Sequence, residues 1–405
     1  MSRLVDIRLA RPEERIQYRA ICQTVFHNTS PQDMRAKLAG ELEYEHKDDN
    51  PLIAAFDESG KMLSAMTIIP YTILMHGKEV PMAGVAGVAT KPEARCRGLV
   101  RQIYHKAYQV MLESNQIYSF LYPFSFEYYR KLGYEHCNPL KHSKIPTTKL
   151  MTYPYPAQVK AFEPGDDISP YMKVYELFTK NRNLAVVRSK KTWEHMLNRD
   201  PYQRLQFSFL FGPAESPTAY VLYDSKLSKD ERSLFVVELC YASPEGLFDA
   251  LGFLGRLSPE IDHMHWDVPT GLDIHCLCCN LLEVEPSIIP KGMGRVVDVL
   301  AALNGTAAPG GSGSCCIKVT DTFLTDNSGF YTVEWGSGQL SAKRADSCLD
   351  KSVDMETSVE GLMQLLCGYV TPNEAAFRRD TKLFGQKNLL CDLFPRNDIY
   401  IMERF

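Results

Sequence analysis

The stretch Gly84–Tyr134 constrains the fold more than any other part of the chain. It opens with small and β-branched residues, Gly84–Thr90, suited to a buried strand. A polar, arginine-bearing loop, Lys91–Gly98, then passes directly into a helical pattern with apolar residues at Leu99, Val100, Ile103, Ala107, Val110 and Met111. That helix is predicted to end near Ser114 and Asn115. A second strand, Ile117–Tyr122, and a short helical segment, Ser125–Leu132, come next, with Gly133 as a left-handed cap.

The loop carries chemistry as well as structure. The first backbone N–H groups of a helix have no partner inside it, the helix dipole is positive there, and Gly98 removes a side chain that would keep a phosphate off the backbone. Arg95, Arg97 and Arg101 add formal charge around the same point. The expected ligand is a di- or polyphosphate.

Arg95-Cys96-Arg97-Gly98-Leu99-Val100, lying between a strand and a helix, resembles the Arg-x-x-Gly-x-(Gly/Ala) pyrophosphate loop of the GNAT superfamily of N-acetyltransferases, with Val100 in place of the final small residue. Downstream, Tyr129–Glu135 (YRKLGYE) resembles the Tyr-x-x-hydrophobic-Gly-Tyr element of one branch, the enhanced intracellular survival (Eis) family. The length of 405 residues, the segment GMGRVVDV at Gly292–Val299 and an aromatic last residue, Phe405, extend the resemblance.

The resemblance implies a mixed α/β fold of two tandem GNAT-like domains, the second degenerate, followed by a sterol-carrier-protein-like α+β domain, with boundaries expected at 1–145, 146–291 and 292–405. It implies acetyl-coenzyme A as co-substrate, held by Val88, Ala89 and Thr90 on the strand, by Cys96, Arg97, Gly98, Leu99, Val100 and Arg101 along the loop and helix start, and by Phe124 and Ser125 after the next strand. Arg95 joins this set on charge. Tyr129 is expected as the general acid, with Tyr128 and Tyr134 as its nearest rivals, and the α-carboxylate of Phe405 as the general base. The implied acceptors are amine-bearing small molecules such as aminoglycosides, or lysine side chains, and the implied assembly is a homohexamer.

The chemistry fits these groups. Transfer from a thioester to an amine needs a neutral amine, a stabilised oxyanion and an acid for the departing thiolate, but no metal. Backbone N–H groups of a splayed Val88–Thr90 strand would serve the oxyanion. A phenol, with a reference pKa near ~10, is protonated at neutral pH, and an α-carboxyl, near ~3.5, is ionised. The alternation Ile399-Tyr400-Ile401-Met402 reads as a half-buried strand that keeps the end of the chain from fraying. Arg404 stands beside Phe405 where family members often carry an acid, which bears on amine preference.

The remaining sequence agrees. Asp6–Ala10 reads as a strand and Pro12-Glu13-Glu14 as a helix start, with a second helix near Pro31–Glu41; Pro51–Phe56 and Met62–Pro70 form a hairpin, and His76–Glu79 a further turn. Helices are expected at Tyr171–Phe178 and Lys190–Asn198 and strands at Gln206–Phe211 and Thr218–Tyr223. Leu234–Val268 then repeats the strand–helix–strand order, yet its connection, Ala242–Pro244, has neither arginine nor glycine to wrap a pyrophosphate. In the last third, Cys316–Asp321, Phe330–Trp335 and Gln339–Arg344 read as three strands of an antiparallel sheet, and Val359–Tyr369 and Pro372–Lys382 as helices.

A net charge of −4 argues against a general nucleic-acid binder, and no apolar run is long enough to span a membrane, so a cytoplasmic protein is expected. The 12 cysteines are scattered, and free thiols are expected. His275, Cys276, Cys278 and Cys279 invite a metal reading, but no second Cys/His pair stands at a zinc spacing, although the fold could bring Cys315 and Cys316 near, and packed thiols are the expectation. The acidic run Glu41, Glu43, Glu45, Asp48 and Asp49 reads as a solvated face or an entrance for polycations. Two other readings share parts of this pattern: an aminoacyl-transferase with tandem GNAT-like domains, and a lipid-binding protein without enzyme activity. Neither needs the arginine loop.

Overall fold

The computed structural model describes residues 5–26, 35–36, 39, 49–198, 206–227, 232–277, 284–345 and 352–403. The chain starts with β1 (Asp6–Leu9), α1 (Arg15–Phe26), and a meander of β2 (Leu52–Phe56), β3 (Met62–Met75) and β4 (Lys78–Thr90). His76 and Gly77, both at positive φ (51° and 73°), make the tight β3–β4 turn that a right-handed strand twist favours. Helix α2 (Leu99–Glu113) crosses to β5 (Tyr118–Leu121), which runs parallel to β4. The helix buries Leu99, Ile103, Ala107, Val110 and Met111 as its periodicity predicts, and adds Tyr104 and Tyr108 to the same face. Each such side chain contributes roughly 1.5–3 kcal/mol of burial free energy.

After α3 (Phe126–Arg130) come β6 (Glu135–Pro146), β7 (Val159–Ala161), α4 (Ser169–Thr179), α5 (Lys190–Leu197), β8 (Gln206–Phe211), β9 (Ala219–Leu227), β10 (Arg232–Tyr241), α6 (Pro244–Gly255), β11 (His263–Val268) and β12 (Glu285–Val296). These strands form one 12-stranded sheet in the order β1-β2-β3-β4-β5-β12-β6-β11-β10-β9-β8-β7. The expected repetition is present: β10 and β11 are parallel and joined by α6, as β4 and β5 are by α2. Only Ala242 and Ser243 separate β10 from α6, and the Ser243 hydroxyl caps the helix by accepting from Gly246 N. Strands β6 and β12 lie between the two halves, β12 antiparallel to both β5 and β6.

The last third holds α7 (Val299–Gly305), β13 (Gly313–Thr320), β14 (Gly329–Gly336), β15 (Gln339–Ala345), β16 (Met355–Ser358), α8 (Val359–Leu366), α9 (Pro372–Ala375), β17 (Lys382–Leu383) and α10 (Lys387–Leu393). Its sheet has 5 strands rather than three, and it is mixed: β13 pairs antiparallel with β14 but parallel with β16. Met355–Ser358 was missed because four residues against the start of an apolar helix carry too little alternation to stand out. The helix expected over Pro372–Lys382 stops at Ala375.

Three further expectations are corrected or lie outside the described residues. Ile399, Tyr400 and Ile401 are all buried, at 5%, 6% and 1% exposure, and make a single bridge to Asn183 instead of a half-buried strand, because domains close on the tail from both sides. Cys316 is disulfide-bonded, against the expectation of free thiols, while Cys22, Cys96, Cys137, Cys240, Cys276, Cys367 and Cys391 are free. The helix expected near Pro31–Glu41 falls outside the described residues except at 35, 36 and 39. Among the described residues no helix is long and apolar enough to cross a membrane.

Candidate active site

Strands β4 and β5 pair at Met82–Gly84 with Tyr118–Phe120, so among the described residues β4 continues to Thr90 with no strand against its β5 side. A register shift against β3 at Gly87 deepens the departure. Gly87 sits at φ 58°, its carbonyl accepts from the Tyr18 hydroxyl at 3.1 Å, and a Cβ there would meet that hydroxyl at 1.8 Å. No larger residue fits without moving α1.

A cavity of about 870 Å³ opens at this splay. Val88 and Thr90 form one wall, the run Arg95–Arg101 the rim, and Phe124 the far side. The loop turns through Cys96 at φ 59° and Gly98 at φ 71°, two left-handed residues that direct successive backbone N–H groups into one concavity. Gly98 is the N-cap of α2, with no protein atom near the position its Cβ would take, so the amides of the first helical turn are open to a ligand. Arg95 and Arg97 are exposed beside them, while Arg101 also stacks over the Phe323 ring at 4.7 Å.

Nine of the predicted cofactor residues plus Arg95 therefore converge on this cavity: Val88, Thr90, Cys96, Arg97, Gly98, Leu99, Val100, Arg101 and Phe124. Ala89 does not; it is 2% exposed and packs against Ile21 on the other side of the strand. Ser125 acts one step back, its hydroxyl capping α3 by accepting from Tyr128 N at 3.2 Å. Sequence reasoning missed Phe26, Tyr128 and Lys131, which also line the cavity. Lys131 is legible in hindsight as the basic residue inside YRKLGY.

Tyr129 is 4% exposed and stands behind the wall: its ring meets Phe124 at 5.5 Å and Tyr128 at 5.3 Å, both of which face the cavity, and Tyr104 and Tyr134 behind. Burial, and then the neighbouring tyrosines, push its phenol well above the ordinary range, so it holds its proton. Helix α3 is seated by a fully buried charge. Arg295 at the end of β12 donates to the Leu132 carbonyl at 2.7 Å and pairs with Asp321 at 2.6 Å, with both side chains at 0% exposure. Gly133, at φ 82°, lies directly beneath this guanidinium. The GMGR segment noted in the sequence thus serves to place the end of the YRKLG turn.

Phe405 lies outside the described residues, as do Glu41, Glu43, Glu45, Asp48, Cys278 and Cys279. The tail leading to Phe405 runs beside a second cavity of about 1110 Å³, lined by Asp49, Tyr71, Arg188, Glu238, Met402 and Glu403 among others. His275 pairs with Asp273 at 3.2 Å, and among the described residues no three metal-ligating side chains come together.

Comparison with known proteins agrees with this geometry. Residues 6–137 match the acetyltransferase (GNAT) domain family, residues 184–296 match a second acetyltransferase (GNAT) domain family, and residues 296–401 match the sterol carrier protein domain. No curated protein matches the chain by sequence. Among solved structures, a GCN5-related N-acetyltransferase from Anabaena variabilis superposes with a TM-score of 0.83 at 19% identity, covering 99% of this chain and 100% of that one. A probable N-acyltransferase from Enterococcus faecalis superposes at 0.81 and 19% identity, covering 98% and 99%. Eis1 from Mycobacterium abscessus gives 0.78 at 18% identity, covering 99% and 100%. Two acetyltransferase (GNAT) domains sharing a sheet, with a sterol carrier protein domain after the second, place this chain among the GNAT acyltransferases, in a fold it shares with Eis1.

Proposed function

We propose that the protein transfers an acetyl group from acetyl-coenzyme A directly to a primary amine, with Tyr129 as general acid and the α-carboxylate of Phe405 as general base. The observation that carries this reading is the cavity at the β4–β5 splay, rimmed by three arginines and a free helix N-terminus, with the protonated Tyr129 phenol layered behind its aromatic wall.

The residues present fit coenzyme A. Its pyrophosphate would lie on the amides of Gly98–Arg101 with Arg95 and Arg97 beside it, and its pantetheine arm along the unpaired edge of β4. The amine nitrogen attacks the thioester carbonyl and the carbonyl oxygen takes up negative charge against the strand's N–H groups. The terminal carboxylate takes a proton from the acceptor's ammonium before attack, so that the attacking amine is neutral; as the C–S bond breaks, Tyr129 protonates the thiolate, and the second proton lost from nitrogen as the amide forms restores the phenol.

The acceptor would enter through the cavity beside the tail. Four acids on its wall, Asp49, Asp224, Glu238 and Glu403, outnumber the two cations Arg188 and Lys191, which favours a cationic amine of the aminoglycoside or lysine class. A cytoplasmic site and a homohexameric assembly complete the reading, the latter open to light scattering. The test measures release of free coenzyme A against a panel of aminoglycosides and lysine peptides, for the intact chain, a chain lacking Phe405, and Tyr129→Phe. Turnover that collapses in both variants while acetyl-coenzyme A still binds supports both assignments; a chain that binds no acetyl-coenzyme A overturns the reading.

A further inference from the structure

The second acetyltransferase domain has the same opened strand pair as the first. Strands β10 and β11 pair only over Ser233–Val236 and His263–Trp266, although β10 runs on to Tyr241, and β10 shifts register against β9 between Val236 and Glu238. In the first domain the corresponding gap is the cofactor cavity. In the second it is filled: Tyr400 and Met402 stand among Val236–Leu239 on one side and Trp266, Asp267 and Pro269 on the other, leaving about 10 Å³ of free space.

We infer that the second domain holds the C-terminal tail in the cleft where an acetyltransferase holds its acyl-coenzyme A, and that the Arg188–Glu403 pair anchors the tail there. Its importance for catalysis rests on the proposal above that the terminal carboxylate is the base.

The tail is held at nearly every residue. Asn183 N donates to the Asp398 carbonyl at 2.8 Å, and Tyr400 N donates back to the Asn183 carbonyl at 2.9 Å. The Asn183 side chain accepts from His76 N at 2.8 Å and donates to the Cys367 carbonyl at 3.1 Å, so this residue ties the tail to both other domains. The Tyr400 hydroxyl donates to Glu238 at 2.9 Å, and Asn138 Nδ2 donates to the Ile401 carbonyl at 3.3 Å. Glu238, on the bulged stretch of β10, also accepts from the Tyr220 hydroxyl at 2.6 Å and takes both arms of the Arg188 fork at 2.7 Å each. The third nitrogen of the Arg188 guanidinium, Nε, donates to Glu403 at 2.7 Å, and the Arg188, Glu238 and Glu403 side chains are 4%, 3% and 8% exposed.

Glu403, paired with Arg188 at 2.7 Å, anchors the tail at its last described residue. A base positioned by its neighbours in this way gains from orientation what a free terminus would lose. Glu403 and Arg188 are positioning residues in this scheme, because neither needs to touch substrate.

The test uses the full chain, Glu403→Ala, Glu403→Gln, a chain lacking Phe405, and Glu403→Ala lacking Phe405. In Glu403→Ala the Arg188 fork still grips Glu238, so the domain core stays intact, and glutamine at 403 keeps an oxygen for Arg188 Nε. Two quantities are read: the rate at which carboxypeptidase A releases Phe405, and kcat and KM for acetyl-coenzyme A with kanamycin and a lysine peptide as acceptors. Glu403→Ala is expected to release Phe405 at least tenfold faster and to lose ~10–100-fold in kcat with KM for acetyl-coenzyme A unchanged. Glu403→Gln is expected to recover most of both, and the double variant to be no worse than loss of Phe405 alone. If removing Phe405 abolishes turnover while Glu403→Ala changes neither the release rate nor kcat, the inference is overturned. Should removal of Phe405 itself leave kcat intact, the base assignment fails first and the positioning role falls with it.

Discussion

Replacing Arg295 with methionine removes the charge on which the turn after Tyr129 is seated. The guanidinium is 0% exposed, donates to the Leu132 carbonyl and to Asp321, and lies 4.7 Å over the Tyr108 ring. Methionine fills much of the space but leaves the carbonyl and a fully buried carboxylate without their strongest partner. Breaking a buried pair from one side costs ~3–5 kcal/mol. Asp321 keeps three other donors, Phe323 N, Leu324 N and Asn327 Nδ2, which places the expected loss at the lower end, about 3 kcal/mol. For a cooperative unit of roughly 150–250 residues that is a fall of about 6–12 °C in Tm. The assay is urea unfolding followed by tyrosine fluorescence for the parent chain, Arg295→Met, Asp321→Asn and the double variant. Because each single change strands the other partner, the double variant is expected to be less destabilised than the sum of the two by at least ~1 kcal/mol. A single-variant loss below ~1 kcal/mol, or strict additivity, would refute the claim that this pair seats the turn.

Other predictions follow from the same geometry. Gly133→Ala forces an L-residue to φ 82° and puts its Cβ 1.2 Å from the Arg295 guanidinium, so it is expected to match or exceed Arg295→Met in destabilisation, measured in the same urea series. Arg97→Ala is expected to raise KM for acetyl-coenzyme A roughly tenfold, more steeply at low ionic strength, with kcat little changed; an unchanged KM would remove Arg97 from the phosphate cradle. The Tyr129 phenol is raised above its ordinary value, so the acid form that the proposed mechanism uses is present below that raised value and is lost only as pH climbs through it. Turnover is therefore expected to hold on the alkaline side to about pH 10, and an alkaline fall centred below pH ~9 that is absent in Tyr129→Phe would contradict this.

Much of the first domain was legible because its signals are local. The apolar face of α2, the arginine loop and the capped YRKLG turn each declare themselves within about a dozen residues, by periodicity, charge or a glycine that must turn left-handed. The repetition in Leu234–Val268 was legible for the same reason. The sequence said nothing of where separated pieces meet. Nothing local to Arg295 or Asp321 pairs them; β12 carries one beneath Gly133 and the C-terminal domain brings the other to it. The tail misled in a related way: Ile399–Met402 alternates like a half-exposed strand, but polar Glu238 and Arg188 wait on the side that alternation assigns to solvent. Lys131 was overlooked because its cavity is built from three segments at once.

The position of β12 bears on how the chain is made. Met293 pairs with Leu121 and with His136, so a strand synthesised near residue 290 must enter between β5 and β6, which left the ribosome some 150 residues earlier. Until it arrives, both of those strands present open edges, and the helix that carries Tyr129 lacks the arginine that seats it. A fragment stopping near residue 145 holds the whole arginine loop and yet is missing an interior strand of its own sheet. Assembly is thereby postponed until two thirds of the chain exists, and with such long-range pairings it is expected to be slow and prone to edge-to-edge association in the interval.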